Sequence, residues 1–227
     1  MADISIALTG LSATASVGTV TAKVKRNLAV QHLQGAARFS QVVGQVEASI
    51  AAQGFGSSFD EIIWHSNACV LLSVAALEAY ANETFLDPQN CFPEVSPDYV
   101  GSVWPTIEGA PVLDKFQIAL TMRSRQLMDK GAAPFQNARL LIALRNAITH
   151  FKPEWHTDNA EHKKLSEKLE SALDQSNQFF PNEHLFPVRW MKHSNTGWAV
   201  QSAVTFMQAF ETASGYQPKM DYSALSY

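Results

Sequence analysis

Residues 140–153 read LLIALRNAITHFKP, and the pattern in this stretch decides the fold. At about 100° per residue, an α-helix places the three leucines with Ala147, Ile148 and Phe151 on one side. The opposite side collects polar side chains from the stretch and from the residue before it: Arg139, Arg145, Asn146, Thr149 and His150. The stretch therefore predicts an amphipathic helix whose polar side carries two guanidinium groups, an amide and an imidazole.

The rest of the chain carries helix signals as well. Helical periodicity, two capping-box patterns (Ser58 with Glu61, Asp158 with Glu161) and the positions of Pro and Gly mark the helix ends. They predict six helices, at about residues 22–53, 58–86, 111–131, 134–152, 158–178 and 198–214. Residues 88–110 are predicted to form an ordered loop. Six helices with short connections indicate a mainly α bundle.

The first 22 residues differ from the helical body. Apolar and polar residues alternate over residues 4–8 and 13–17, on either side of a turn-like segment, which predicts a short β-hairpin. We therefore expect an N-terminal hairpin arm at residues 1–22, a helical domain at 23–215 and a C-terminal tail at 216–227.

Composition excludes several classes of protein. The chain has 227 residues, of which 46% are hydrophobic, and its net charge is -4, so it is neither disordered nor a uniformly basic nucleic-acid binder. Its two cysteines, Cys69 and Cys91, are too few for a disulfide framework. No cationic region precedes the first apolar residues, and the longest apolar run, Ala68–Leu77, is shorter than the roughly 20 residues that span a bilayer. We expect a soluble cytoplasmic protein without a membrane segment.

A family resemblance comes from two segments. Arg145-Asn146-x3-His150, at the end of a bundle helix and followed by Pro153, resembles the R-x4-6-H motif of the HEPN superfamily. Residues 68–83, ACVLLSVAALEAYANE, are similar to the helix that packs beside this motif. The resemblance covers roughly residues 22–215. It implies a HEPN-like helical bundle that forms a homodimer, with both copies of the motif facing one cleft.

The resemblance also implies a chemistry, because HEPN members of known activity are mostly metal-independent endoribonucleases. His150 would act as general base or acid, and Arg145 would stabilise the charge on phosphate in the transition state. The products would be a 2′,3′-cyclic phosphate and a 5′-hydroxyl end. Supporting roles are expected for Asn146 and Thr149, and RNA contacts for Arg139 and Lys152.

Glu78 lies within the apolar run of residues 68–83, where an unpaired carboxylate is costly. It either pairs with Arg145 or Arg139, or it is an exposed side chain on a partly solvated face. Lys152 holds the position where some family members carry a tyrosine that a partner enzyme modifies, so that mode of control is not expected here.

Other interpretations remain open. Arg145 is also compatible with a structural ion pair, and His150 with a residue favoured by the macrodipole at a helix C-terminus. Many HEPN domains are non-catalytic modules that bind RNA, a nucleotide or a protein partner, so the sequence does not decide whether the chain is an enzyme. No cofactor and no metal site is expected, since the histidines do not show the spacing of metal ligands. The superfamily suggests a defence or toxin setting with an antitoxin or regulatory protein.

Charge is unevenly distributed. Residues 111–152 hold seven Lys and Arg against two Asp, a net charge of +5, which leaves -9 on the remaining residues. Such a basic segment around Arg145 favours a polyanionic ligand such as RNA.

Overall fold

A computed structural model describes residues 4–8, 11–15, 23–54, 58–153, 155 and 162–227. These residues form a mainly α structure, as the sequence predicts. The helices are α1 (Ala29–Gln53), α2 (Ser58–Phe85), α3 (Pro88–Cys91), α4 (Pro97–Ile107), α5 (Val112–Met122), α6 (Ala133–Thr149), α7 (Lys163–Leu169) and α8 (His193–Ser214). A π-type turn at Leu185–Arg189 and a 3-10 turn at Tyr222–Ala224 complete the helical elements of these ranges.

Helix α2 is the centre of the bundle. It packs on α1 along most of its length and also contacts α5, α6 and α8. Its residues Ile62, Val70, Val74 and Leu77 are fully buried. The helix is long and apolar enough to cross a membrane, but part of its surface packs on α1, α5, α6 and α8, and a core helix can have the same composition. The cytoplasmic location stays a prediction.

An aromatic cluster joins α2, α5 and α8. The ring of Phe116 lies 5.0 Å from that of Phe206 and 4.7 Å from that of Phe210, both edge-on. Tyr80 from α2 packs edge-on against Phe210 at 5.8 Å. Its hydroxyl donates a hydrogen bond to Glu211, which is 3% exposed. The core thus combines aromatic packing with a buried carboxylate.

Glu83, near the C-terminal end of α2, contacts both the start of α1 and the C-terminal tail. Its Oε1 accepts hydrogen bonds from the backbone N–H groups of Leu28 and Ala29, at 2.7 and 2.9 Å, and so caps the start of α1. Its Oε2 forms an ion pair with Lys219 in the C-terminal tail. Tyr222 of the tail also bonds the buried Glu211 at 2.8 Å. The tail is therefore packed on the helical body.

Strands precede the helices. Strands β1 (Ile4–Leu8), β2 (Leu11–Ala15) and β3 (Lys23–Arg26) form an antiparallel sheet in the order β1-β2-β3. Of the predicted arm, residues 1–3, 9–10 and 16–22 lie outside the described residues, as does the Asp158–Glu161 capping box. The prediction that the first helix begins near residue 22 is wrong, because α1 begins at Ala29 after β3.

Several other predicted boundaries are also wrong. The expected loop at residues 88–110 contains α3 and α4, because Pro88 and Pro97 start helices rather than end them. The helix expected to reach residue 131 ends at Met122. There Ser124 takes a positive φ of 52°, and Gln117 binds the backbone N–H and carbonyl of Met128. The helix expected over 158–178 is the short α7, and α8 begins five residues before its predicted start.

Candidate nucleic-acid interface

Helix α6 presents the predicted polar side to solvent. Phe135, Ala138, Leu141 and Leu144 are buried at regular spacing, whereas Arg139, Asn146 and Thr149 are exposed. Phe151, predicted to belong to the apolar side, is 44% exposed, because α6 ends at Thr149 and the chain then leaves the helical path. The amphipathic interpretation of residues 140–150 is otherwise confirmed.

Arg145 pairs with Glu78 of α2. Arg145 Nη2 donates to Glu78 Oε1, while the Arg145 side chain is 23% exposed and that of Glu78 is 45% exposed. Arg145 Nε is buried without a hydrogen-bond acceptor among the described residues. The predicted pairing is thus present, and Glu78 is also half-exposed, so the two alternatives are not exclusive. The pair holds the guanidinium at a defined position beside α2.

An open cleft of about 580 Å³ lies over this pair. We call it the motif cleft, and its charged and polar rim consists of Glu78, Asp114, Lys130, Arg139, Arg145 and Asn146. Lys130 faces Asp114 at 3.6 Å, and both side chains are largely exposed. Three cations therefore border a cleft wide enough for a small anionic ligand, partly balanced by two carboxylates.

His150 lies elsewhere. It is the C-cap of α6, it is exposed, and it is not among the described residues that line the motif cleft. Five residues separate it from Arg145, which in a helix corresponds to about 140° around the axis and about 7.5 Å along it. Thr149 donates its hydroxyl hydrogen bond back to the Arg145 carbonyl at 2.9 Å. The motif residues therefore do not converge within the motif cleft of one chain.

The segment after His150 is held by a histidine that sequence reasoning did not assign to the site. His162 is 7% exposed, and its ring is stacked on Phe151 at 5.2 Å and 10°. Its Nε2 donates to the Lys152 carbonyl at 2.9 Å, and its ring also meets Phe186 edge-on at 5.0 Å. Lys152 itself is exposed and does not line the motif cleft within the described ranges. His162 thus fixes the backbone next to the motif histidine.

A second cleft of about 640 Å³ lies on the other side of Arg139. We call it the Trp198 cleft. Its cationic and polar residues are Gln136, Asn137, Arg139, Lys168 and Ser171, and Trp198 forms part of its wall. Arg139 is therefore shared by both clefts, and no acidic side chain is among the described residues that line the second one.

Not all the cations of residues 111–152 contribute positive charge to the surface. Lys115 is 8% exposed and bonds Asn82 at 3.0 Å, and it faces the Trp104 ring at 5.5 Å. Arg123 donates to the carbonyls of Cys91 and Ser214. These two cations therefore stabilise the fold, and the surface charge around α6 comes mainly from the other members of the segment.

Nucleophilic cysteine chemistry is not supported. Burial raises the pKa of the Cys69 thiol to about 12 and also raises that of Cys91, so both are protonated at neutral pH. Within the part of the chain that the structure describes, no three His, Cys, Asp or Glu side chains cluster as metal ligands would.

No protein-family model matches the chain, and neither does any curated protein or solved structure.

Proposed function

We propose that the chain is a metal-independent endoribonuclease of HEPN type. The observation that carries the proposal is the Arg145–Glu78 pair at the motif cleft, on the helix that ends with the exposed His150. Arg139 and Lys130 border the same cleft and would attract the RNA backbone. The HEPN identity itself rests on the resemblance of residues 68–83 and 145–150 to that superfamily.

In the proposed reaction, the 2′-oxygen attacks the adjacent phosphorus and the 5′-oxygen leaves. His150 takes the 2′-hydroxyl proton while water protonates the leaving 5′-oxygen, or it protonates that oxygen while water takes the 2′-hydroxyl proton. Arg145 stabilises the negative charge that grows on the phosphate oxygens, with Glu78 holding its guanidinium in place. Asn146, exposed at the rim of the motif cleft, contacts phosphate. The products are a 2′,3′-cyclic phosphate and a 5′-hydroxyl end.

The site is proposed to form between two copies of the chain, because His150 lies outside its own motif cleft. A face of α2 offers a surface for the second copy. Trp64, Leu71 and Glu78 recur every seven residues on this face, and Trp64 and Leu71 are 62% and 39% exposed. We call these three residues the α2 stripe. The stripe leads directly to the Arg145 pair, so a two-fold contact along it would bring both motif helices together.

A second candidate function has a specific observation in its favour. Glu78 neutralises Arg145, and the His150 ring has no hydrogen bond or ion pair with any residue that the structure describes. An HEPN module that binds RNA without cutting it would need neither an oriented histidine nor a free guanidinium. The same cleft then serves as a binding surface.

The experiment that separates the two uses mixed cellular RNA in EDTA. We expect the wild-type protein to cut RNA and leave 2′,3′-cyclic phosphate ends, and Arg145→Ala and His150→Ala to be inactive. Arg38→Ala and His32→Ala on α1 are matched controls that should retain activity. If the wild-type protein binds RNA but does not cut it, the chain is a non-catalytic RNA-binding module. If both motif variants cut as well as wild type, the proposed site is wrong.

A further inference from the structure

We propose that the Trp198 cleft binds a nucleotide of single-stranded RNA that lies next to the cleaved one, so that RNA runs across Arg139 from one cleft to the other. This inference rests on the proposed function, because the motif cleft is taken as the place of cleavage. It adds a binding subsite formed by α6, α7 and the start of α8, outside the motif.

The composition of the cleft fits a nucleotide. Arg139 and Lys168 are exposed and have no ion-pair partner among the described residues, so both charges are available to a phosphate group. Trp198 is partly buried and forms part of the wall, where an aromatic ring provides a surface for stacking a base. Gln136, Asn137 and Ser171 offer donors and acceptors for a base edge or a ribose.

The position of Arg139 connects the two clefts. It lines both of them, and six residues of helix, about 9 Å, separate it from Arg145. A strand whose phosphate is held at Arg145 therefore passes Arg139 before it reaches Lys168 and Trp198. The Trp198 cleft carries cations without lining acids, whereas the motif cleft has Glu78 and Asp114, so most of the affinity is expected to come from the Trp198 cleft.

The test measures RNA binding without cleavage. Fluorescein-labelled octauridylate is titrated into the full chain carrying His150→Ala, in EDTA at 0.1 M salt, and anisotropy gives Kd. Adding Lys168→Gln should raise Kd by about threefold to tenfold and lower the slope of log Kd against log salt by about 0.7. Adding Trp198→Leu should raise Kd by about tenfold, and Trp198→Phe by less than about threefold, because a stacking ring remains.

Lys163→Gln is the matched control, since Lys163 is exposed on the same helix but lines a different surface. It should leave Kd within about twofold of the parent. Unchanged binding in both Lys168→Gln and Trp198→Leu overturns the subsite, and Lys168→Gln keeps the test valid even if Trp198→Leu unfolds. Uridine 5′-monophosphate that binds as tightly as the octamer, and depends on Lys168, would identify a free-nucleotide site and also overturn the RNA path.

The outcomes separate this inference from the proposed nuclease. Binding that depends on Lys168 and Trp198, with no cleavage by wild type, contradicts the nuclease and supports the RNA path. Cleavage by wild type, with binding unaffected by both substitutions, supports the nuclease and overturns the path.

Discussion

The carboxylate of Glu78 on α2 accepts a hydrogen bond from the guanidinium of Arg145 on α6, across 67 residues of sequence. This contact joins the central helix of the bundle to the helix that carries the motif. It leaves Arg145 Nε buried and without an acceptor among the described residues. The orientation of the guanidinium therefore depends on one side chain, and substitutions at Glu78 report directly on that dependence.

Glu78→Gln should lower the free energy of unfolding by about 0.5–1 kcal/mol, since the pair is charge-assisted but the carboxylate is half-exposed. Under the proposed function, RNA cleavage should fall because Arg145 is held less firmly. Urea denaturation and initial cleavage rates measure both effects. Asp114→Asn removes the partner of Lys130 at 3.6 Å on the same cleft and should cost less than about 0.3 kcal/mol. A Glu78→Gln protein with full stability and activity would contradict the role of the pair.

Mixing two inactive variants tests whether the site is shared. In a dimer whose sites combine Arg145 of one copy with His150 of the other, an Arg145→Ala/His150→Ala heterodimer retains one intact site. Random exchange of subunits should restore about a quarter of wild-type activity, because half of the dimers are mixed and each has one of two sites. The cleavage rate is measured after co-denaturation and refolding of equal amounts. Absence of any restored activity in a protein shown to form mixed dimers would count against a shared site.

Trp64→Glu and Leu71→Glu should convert the proposed dimer to monomer, because each places a charge on the exposed apolar part of the α2 stripe. The fold should persist, since Trp64 is 62% exposed and Leu71 is 39% exposed, so neither side chain is part of the buried core. Sedimentation velocity gives the mass, and circular dichroism gives the helix content. Tyr99→Glu is the matched control, as Tyr99 is 58% exposed on α4. A wild-type protein that is monomeric at all concentrations, or stripe variants that stay dimeric, would show that α2 is not the interface.

Stability should decrease at alkaline pH because of Tyr80 and Tyr222. Burial, together with the nearby Glu211 carboxylate, raises the pKa of both tyrosines above their ordinary value of 10.0. In the unfolded chain these groups lose their protons near that value, whereas the native protein retains them. The native state then binds more protons, so the free energy of unfolding falls as pH rises above about 10, by up to about 1.4 kcal/mol per pH unit for each tyrosine.

Urea denaturation at pH 8, 9.5, 10.5 and 11 measures this decline. Tyr80→Phe should be less stable at pH 8, by about 1–2 kcal/mol, because a hydrogen bond to the buried carboxylate is lost. Its decline above pH 10 should be shallower, because one titrating group is gone. Tyr99→Phe should follow the wild-type profile. Equal slopes for Tyr80→Phe and wild type would refute the linkage.

His162→Ala should loosen the backbone beside His150, because it removes both the stack on Phe151 and the hydrogen bond to the Lys152 carbonyl. His162→Phe keeps a stacking ring and should have a smaller effect. Hydrogen exchange of the peptide covering residues 150–153 measures local opening. Exchange in this peptide that matches wild type for both variants would show that His162 does not hold the segment.

Local patterns predicted the fold around α6 correctly, and long-range contacts explain the errors. The spacing of Phe135, Ala138, Leu141 and Leu144 is a property of one helix, so it is visible in the sequence. The early start of α8 depends on Glu47 of α1, which accepts the His193 backbone N–H at 2.7 Å across 146 residues. No local signal marks such a contact.

In the candidate site, too, local features were predictable from the sequence and long-range contacts were not. The pairing of Glu78 with Arg145 was one of several alternatives that the sequence left open, beside Arg139 and an exposed side chain, because an acidic residue within an apolar run is costly without a partner. The role of His162 was not predicted, since its stack on Phe151 follows from how the chain turns after α6. The Trp198 cleft was not predicted either, because it combines residues of three helices that are distant in sequence. The spacing of residues within one helix predicts which side chains share a face of that helix. A cleft between helices cannot be predicted in this way, because it depends on which helices pack together.

Glu83 has a consequence for the order in which the protein matures on the ribosome. Its first oxygen accepts from backbone N–H groups 54 and 55 positions upstream, so all the groups of this contact are present once α2 has been synthesised. Its second oxygen binds Lys219, which lies 136 positions downstream and is synthesised after α8. Until then Oε2 of Glu83 lacks its lysine partner, and the surface that the C-terminal tail covers stays exposed in the nascent chain. The pairing of Glu83 with Lys219 therefore becomes possible only after every helix that packs on α2 has been synthesised.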